Sequence, residues 1–209
     1  MSKKIRKKSS KSDSSVTVRA ATVAHTEQAR EAGPSPSPAA TTKTKPRPAP
    51  PASQGAGLAE GSPAPPFNLP REDGALVSLA DFAGGKLVIF FYPRAGTPGC
   101  TIEAMDFTRL ATDFAVSGTA VIGVSADPVK AQLSFRNKHQ LSIALISDEK
   151  HQMLEAYGVW GEKSMYGKTF MGVLRTTVLV DGAGRIARIW RRVKVEGHAD
   201  EVLAAAREL

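Results

Sequence analysis

The chain has 209 residues, 28 Lys plus Arg against 20 Asp plus Glu, a net charge of +8 and a single cysteine. One cysteine excludes a disulfide framework and a thiolate zinc site, and no window reaches the apolar length of a membrane span. The four histidines, His25, His139, His151 and His198, stand far apart with no ligand spacing. They read as surface or capping residues, and no metal site is expected.

The charge is concentrated at one end. Residues 1–55 hold eleven Lys or Arg and three Asp or Glu, whereas the remainder holds seventeen of each. No aromatic residue precedes Phe67, and seven prolines fall between Pro34 and Pro51. Such a segment buries too little apolar surface to offset its ordering entropy, so residues 1–55 are expected to be a disordered, basic, Pro/Ala-rich tail and linker. Lys3, Lys4, Arg6, Lys7, Lys8 and Lys11 cluster at its start. Residues 3–11 are therefore a candidate for weak contact with nucleic acid or another acidic surface, set against the plainer reading of a solvated tail with no defined partner. The same run resembles a nuclear-import signal if the source is a eukaryote. The absence of interleaved aromatics argues against base stacking, and the absence of a following apolar stretch argues against a secretory signal. Gly55, Gly57 and Gly61 precede any strand, so they make no nucleotide loop.

Residues 56–209 have the length of one domain with a real core. Leu87-Val88-Ile89-Phe90-Phe91 reads as a buried strand. Pro93 ends that strand, and Gly96, Pro98 and Gly99 supply a turn. A helix is predicted from about Cys100, with Ile102, Met105, Phe107, Leu110 and Phe114 near a 3.6-residue spacing. Thr119 to Ser125 is a second buried strand. Asp127, before Pro128, is the expected cap of a helix running to about His139. A short strand over 143–148 and a short helix over 151–157 follow, the latter stopped by Gly158. Thr176 to Val180 and Ile186 to Trp190 form a hairpin across Asp181-Gly182-Ala183-Gly184, and His198 to Glu208 closes the chain as a helix. Strands alternating with helices and ending in a hairpin predict an α/β sandwich, a central mixed sheet flanked by helices.

Cys100 is the residue on which function turns. A lone cysteine is more often a small buried hydrophobe than a nucleophile. This one, however, follows a strand and opens a helix, among unpaired N–H donors at the positive end of the dipole, which favours the nucleophilic thiolate. Thr97 lies three residues earlier, within reach of the sulfur or of a bound oxygen, while Pro98 and Gly99 narrow the approach. A protease triad lacks a placed histidine, the Gly123-Val124-Ser125-Ala126-Asp127 run lacks the second glycine of a nucleophile elbow, and the lack of a Cys-x-x-Cys pair argues against a thioredoxin-type oxidoreductase.

The segment from Tyr92 to Phe107, with Pro93, Thr97, Pro98, Gly99, Cys100 and Glu103, resembles the active-site segment of the peroxiredoxin Q family, also called bacterioferritin comigratory protein. The likeness runs from about Gly61 to the C-terminus: Phe67 to Leu79 resembles the family's opening β-hairpin, and Tyr157-Gly158-Val159-Trp160-Gly161-Glu162-Lys163 and Arg175-Thr176-Thr177-Val178-Leu179-Val180-Asp181 resemble two further blocks. It implies a thioredoxin-like fold and a thiol peroxidase acting on hydrogen peroxide and organic hydroperoxides. Cys100 falls on the family's peroxidatic cysteine, Thr97 on the threonine that orients peroxide and thiolate, Arg175 on the arginine that stabilises the thiolate, and Pro98 on the shielding proline. Gly99 or Cys100 offers a backbone donor, Glu103 matches a glutamate that orients an arginine, and Tyr92, with Phe91 and Trp160, is read either as pocket wall or as core.

Two positions depart from the family pattern. Many members carry a resolving cysteine five residues after the first, where this chain has Met105, and Thr108 stands where arginine is common. With no resolving cysteine, the implied sulfenic acid is left to an external thiol: glutathione, glutaredoxin, thioredoxin or the Cys100 of a second copy. No prosthetic cofactor is implied. A monomer or weak dimer in the cytoplasm is expected, or in the nucleus of a eukaryote. The alternative reading is a nucleic-acid-associated redox sensor whose basic tail is the main functional element.

Overall fold

The computed structural model describes residues 58–165 and 168–209. The predicted tail over 1–55, its cluster at 3–11, Gly55, Gly57 and His25 lie outside the described residues.

Strand β1 (Asn68–Pro70) and β2 (Leu76–Ser78) make the expected antiparallel hairpin, followed by a 3-10 turn at Leu79–Phe82. Strand β3 (Lys86–Phe91) leads to helix α1 (Pro98–Arg109) and the short α2 (Ala111–Val116). Then come β4 (Thr119–Ser125), α3 (Val129–His139), β5 (Ala144–Ser147) and α4 (Gln152–Ala156). A hairpin of β6 (Trp160–Met165) and β7 (Lys168–Val173) precedes β8 (Thr176–Val180), β9 (Ile186–Arg191) and α5 (His198–Glu208).

Five strands form the central sheet in the order β5-β4-β3-β8-β9. The β3–β4 and β4–β5 pairs are parallel, whereas β8 runs antiparallel to β3 and to β9. The sheet is therefore mixed, and β3 sits at its centre. Burial on both faces explains why β3 reads as an uninterrupted apolar run. Its alternate residues Val88, Phe90 and Tyr92 join a cluster with Cys100, Phe107, Phe114, Phe135 and Leu203, on the side of α1, α3 and α5. Leu87, Ile89 and Phe91 join Phe67, Leu69, Met153, Leu154 and Tyr157 on the other side.

Four sequence expectations change. Ile102 and Met105 are about half exposed, and the buried face of α1 is made by Cys100, Glu103, Ala104 and Phe107. A small alanine and a carboxylate on that face disguise the stripe. Asp127 does not cap α3: Pro128 holds the cap position with no side-chain bond, and the Asp127 carboxylate turns to Ala95 and Ser125 instead. The β6–β7 hairpin carries no strict apolar alternation and pairs only with itself, so it escapes a periodicity reading. His198 is buried, its Nε2 2.8 Å from Thr177 Oγ1, with its ring edge-on to Phe107 and Trp190.

Packing at the sheet centre leaves no room at Gly123. A Cβ there would come within 2.5 Å of Phe90 Cζ and 3.1 Å of Leu145 Cδ2. Phe90 cannot swing away, because it stacks on Phe107 and Tyr92. Gly123→Ala is therefore expected to destabilise the domain by about 1–3 kcal/mol, read as a lowered midpoint in denaturant titration with an unchanged slope. A stability equal to wild type would mean that this layer is looser than it looks.

Candidate active site

The central strand delivers the chain to the site. After β3, Tyr92 N–H still donates to Val124 O at 3.0 Å, which keeps the chain in register with β4 for one more residue. Gly96 then takes φ 74°, a backbone conformation that a side chain disfavours, and reverses the chain into α1. Thr97 holds the N-cap position, Pro98 opens the helix where its missing N–H costs nothing, and Cys100 falls in the first turn. The first-turn N–H groups of Gly99 and Cys100 have no carbonyl one turn back within the helix, so partial positive charge gathers around the sulfur.

Cys100 is 1 % exposed. Arg175, at the head of β8 and 75 residues away in sequence, reaches it with Nη2 at 3.3 Å from Sγ. The same guanidinium nitrogen would lie 3.4 Å from a Cβ at Gly99, so the arginine also packs against the start of the helix. Through Nη1, Arg175 donates to Glu103 Oε2, one helical turn beyond Cys100. Helix α1 thus presents sulfur and carboxylate on one face, and a single fork from β8 ties the two together. Burial opposes charge on Arg175, but its interactions with Glu103 and Cys100 prevail and hold its pKa above the ordinary value.

Glu103 is nearly inaccessible, and its second oxygen, Oε1, has no hydrogen-bond partner among the described residues. Burial pushes the carboxyl up to about 7, against the pull of Arg175. His198 lies on the same side of the sheet, and burial, aided by the Arg175 charge, lowers its pKa to about 4, so it stays neutral. A second cation, Lys163 of β6, donates to Val173 O at 2.7 Å. Burial and then the Arg175 charge lower its pKa, with Cys100 acting in the opposite direction, so it belongs to the same electrostatic neighbourhood. Lys163 lies in one of the matching blocks but was not among the candidate site residues. Only the tertiary position of the β6–β7 hairpin picks it out.

The other expected residues take distinct places. Thr97 donates from Oγ1 to Arg94 O at 2.9 Å, at the N-cap of α1 three residues before Cys100. Pro98 is exposed at the helix start, and Arg94 is an exposed surface cation. Tyr92 is wholly buried in the same cluster as Cys100, and its hydroxyl donates to Gln132 Oε1. Phe91 packs on the opposite face of the sheet against Tyr157, and Trp160 stacks on His151. Met105 is half exposed. Thr108 Oγ1 accepts from Ser142 N–H at 3.3 Å, and Arg109 pairs with Asp200 of α5. Among the described residues, no group of three His, Cys, Asp or Glu side chains is placed to hold a metal, and no helix is long and apolar enough to cross a membrane.

Comparison with known proteins gives this geometry a lineage. The AhpC/TSA family model matches residues 61–189. The putative peroxiredoxin bcp of Coxiella burnetii is 43% identical over 143 residues, which cover 68% of this chain and 95% of the relative. Peroxiredoxin Bcp of Escherichia coli K12 is 41% identical over 146 residues, or 70% and 94% of the two chains. Among solved structures, peroxiredoxin Q of Xanthomonas campestris aligns with a TM-score of 0.65 at 42% identity, covering 68% of this chain and 90% of that one. A mutant of peroxiredoxin Q from Xylella fastidiosa aligns at 0.70 and 34% identity, over 74% and 98%. The family match runs from before β1 into β9 and takes in the Cys100 helix, and the chain belongs to the AhpC/TSA family, in its peroxiredoxin Q (bacterioferritin comigratory protein) branch of thioredoxin-fold thiol peroxidases.

Proposed function

We propose that this chain reduces hydrogen peroxide and organic hydroperoxides through Cys100, and that an external thiol completes the cycle. The observation that carries the reading is the Arg175 guanidinium 3.3 Å from the Cys100 sulfur, at the N-terminus of a helix. A sulfur lone pair attacks the nearer peroxide oxygen, an S–O bond forms and the O–O bond breaks. The departing oxygen takes a proton and leaves as water or an alcohol. Sulfur is oxidised to a sulfenic acid while the peroxide is reduced. Negative charge moves from sulfur to oxygen along this path, and donors already fixed there lower the barrier without reorganising. Arg175 and the first-turn N–H groups of α1 supply such donors, and the Thr97 hydroxyl, at the N-cap of the same helix, is assigned to orient the incoming peroxide.

The chain has no second cysteine. An external thiol, from glutathione, glutaredoxin, thioredoxin or a second copy's Cys100, attacks the sulfenic sulfur and expels water. A further thiol then releases Cys100 and leaves as half of a disulfide. If that thiol is scarce, more peroxide carries the sulfur to sulfinic acid. A reducing compartment such as the cytoplasm suits this cycle.

Cys100→Ser is expected to abolish peroxide turnover and leave the circular dichroism spectrum unchanged. Arg175→Ala should slow the peroxide step by about a hundredfold or more, the usual effect of deleting one preorganised donor, and should slow alkylation of Cys100 at neutral pH. Peroxide turnover by Cys100→Ser would overturn the assignment of the nucleophile.

Stability against pH reports on the ion pair below the sulfur. The Glu103 carboxyl sits near 7 in the fold against 4.5 for the free group, so the folded state holds the extra proton between those values and loses stability as pH rises through them. His198, depressed from 6.5 to about 4, gives the opposite slope over a window that overlaps most of this one, so the two largely offset in wild type. Glu103→Gln removes only the first slope. Its melting temperature should therefore gain on wild type as pH rises from 4.5 to about 7 and then run parallel to it. A gap between the two proteins that ignores pH would contradict the buried-carboxyl account.

A further inference from the structure

We propose that Asp127 is a positioning residue for the peroxidase site, holding the loop before Cys100 in its reactive shape, an inference that rests on the peroxidase reading above. Its carboxylate does not serve helix α3, whose first turn receives no side-chain cap. One oxygen, Oδ2, accepts the Ala95 N–H at 2.7 Å and the Ser125 O–H at 2.8 Å. Ala95 lies midway in the link from β3 to α1, next to Gly96 and two residues before Thr97. A carboxylate accepting a backbone N–H makes a charge-assisted bond, stronger than a neutral one.

The acceptor is itself braced. Ser125 Oγ accepts from Asp127 N–H at 3.2 Å, and Ser147 Oγ donates to Asp127 O at 2.7 Å. Gln132 Nε2 donates to the same Ser125 Oγ at 2.8 Å and to Ile146 O at 3.1 Å, while Gln132 Oε1 accepts from the Tyr92 hydroxyl. Tyr92, Ser125 and Gln132 are all wholly buried. The network leaves the active-site link at Tyr92, passes through α3 and β4, and returns to the link at Ala95. Both ends of the Tyr92–Ala95 segment are thus tied to the ends of β4 and β5 and the start of α3, which are rigid in the sheet.

The tether acts oppositely on the two halves of the cycle. Peroxide is small and reacts with the site as folded, where the loop sets Thr97 and the first turn of α1. A protein thiol is bulky, and Cys100 is only 1 % exposed. Such a thiol reaches the sulfenic sulfur only after the loop or the first helical turn moves away. Releasing Ala95 should therefore slow oxidation and speed reduction.

The test compares wild type, Asp127→Ala and Asp127→Asn in separate half-reactions: oxidation by hydrogen peroxide, and reduction of the pre-formed sulfenic acid by a purified thioredoxin. Wild-type turnover checks the peroxidase reading on its own, before either variant is considered. Asp127→Ala is expected to slow oxidation by about tenfold or more and to speed reduction, as loss of one charge-assisted bond implies. Asp127→Asn keeps an accepting oxygen and should stay within about threefold of wild type in both. Hydrogen exchange supplies the readout that does not need the alanine variant to be robust. The Ala95 amide should be protected in wild type, and exposure of the Tyr92–Cys100 segment should precede any exposure of β3 or β4. Wild-type oxidation in Asp127→Ala, equal loss of both half-reactions, or an unprotected Ala95 amide in wild type would each overturn the proposal.

Discussion

One contact organises the site: the Arg175 guanidinium placed between the Cys100 sulfur and the Glu103 carboxyl. Helix α1 brings sulfur and carboxyl to one face at a spacing of three residues, and β8, beside β3 in the sheet, supplies the arginine. Neither element makes the arrangement alone. The antiparallel register that sets Phe91 against Thr176 puts the residue before β8, Arg175, at the level where the chain turns from β3 into α1. Sheet register therefore sets the Arg175–Cys100 contact, since a slip by one residue would turn Arg175 to the other face.

Electrostatically the site balances two costs. A guanidinium facing a buried sulfur and a buried carboxyl retains its charge because both neighbours favour it. The carboxyl, by contrast, is so far from water that one arginine does not restore its ordinary acidity, and its Oε1 has no partner among the described residues. Carrying the proton on that oxygen relieves an otherwise uncompensated charge. The buried pair is therefore poor evidence of stability and better understood as a way to aim the arginine at sulfur. His198 below it stays neutral and spends its Nε2 on Thr177, so it adds no competing charge.

The sequence made the frame of the molecule legible because the central strands are buried on both faces and their ends are marked by Gly, Pro and Asp. β3, β4, β8, β9 and α5 fall where apolar runs and turn residues put them. Cys100 stood out as the candidate nucleophile from its place between a strand and a helix, and Arg175 only through the family likeness, since nothing local distinguishes it from other arginines. What stayed hidden depends on tertiary contacts. Ile102 and Met105 fit a 3.6-residue spacing, yet the face carrying Cys100, Glu103 and Ala104 is the one that meets the core. Asp127 has the composition of a helix cap, and only the folded chain shows its carboxylate turned toward Ala95. The β6–β7 hairpin, with exposed Phe170 and Met171, lacks the pattern that marks a half-buried strand.

The central claim is that Cys100 is an activated thiol that becomes a sulfenic acid. The most direct measurement is titration of the reduced protein with hydrogen peroxide in the presence of dimedone, followed by mass spectrometry of the Cys100 peptide. The account predicts rapid dimedone labelling of Cys100 that saturates near one equivalent of peroxide. Labelling no faster than that of free cysteine would contradict it, and would leave the arrangement of Arg175, Glu103 and Cys100 as a structural ion pair without a peroxidase function.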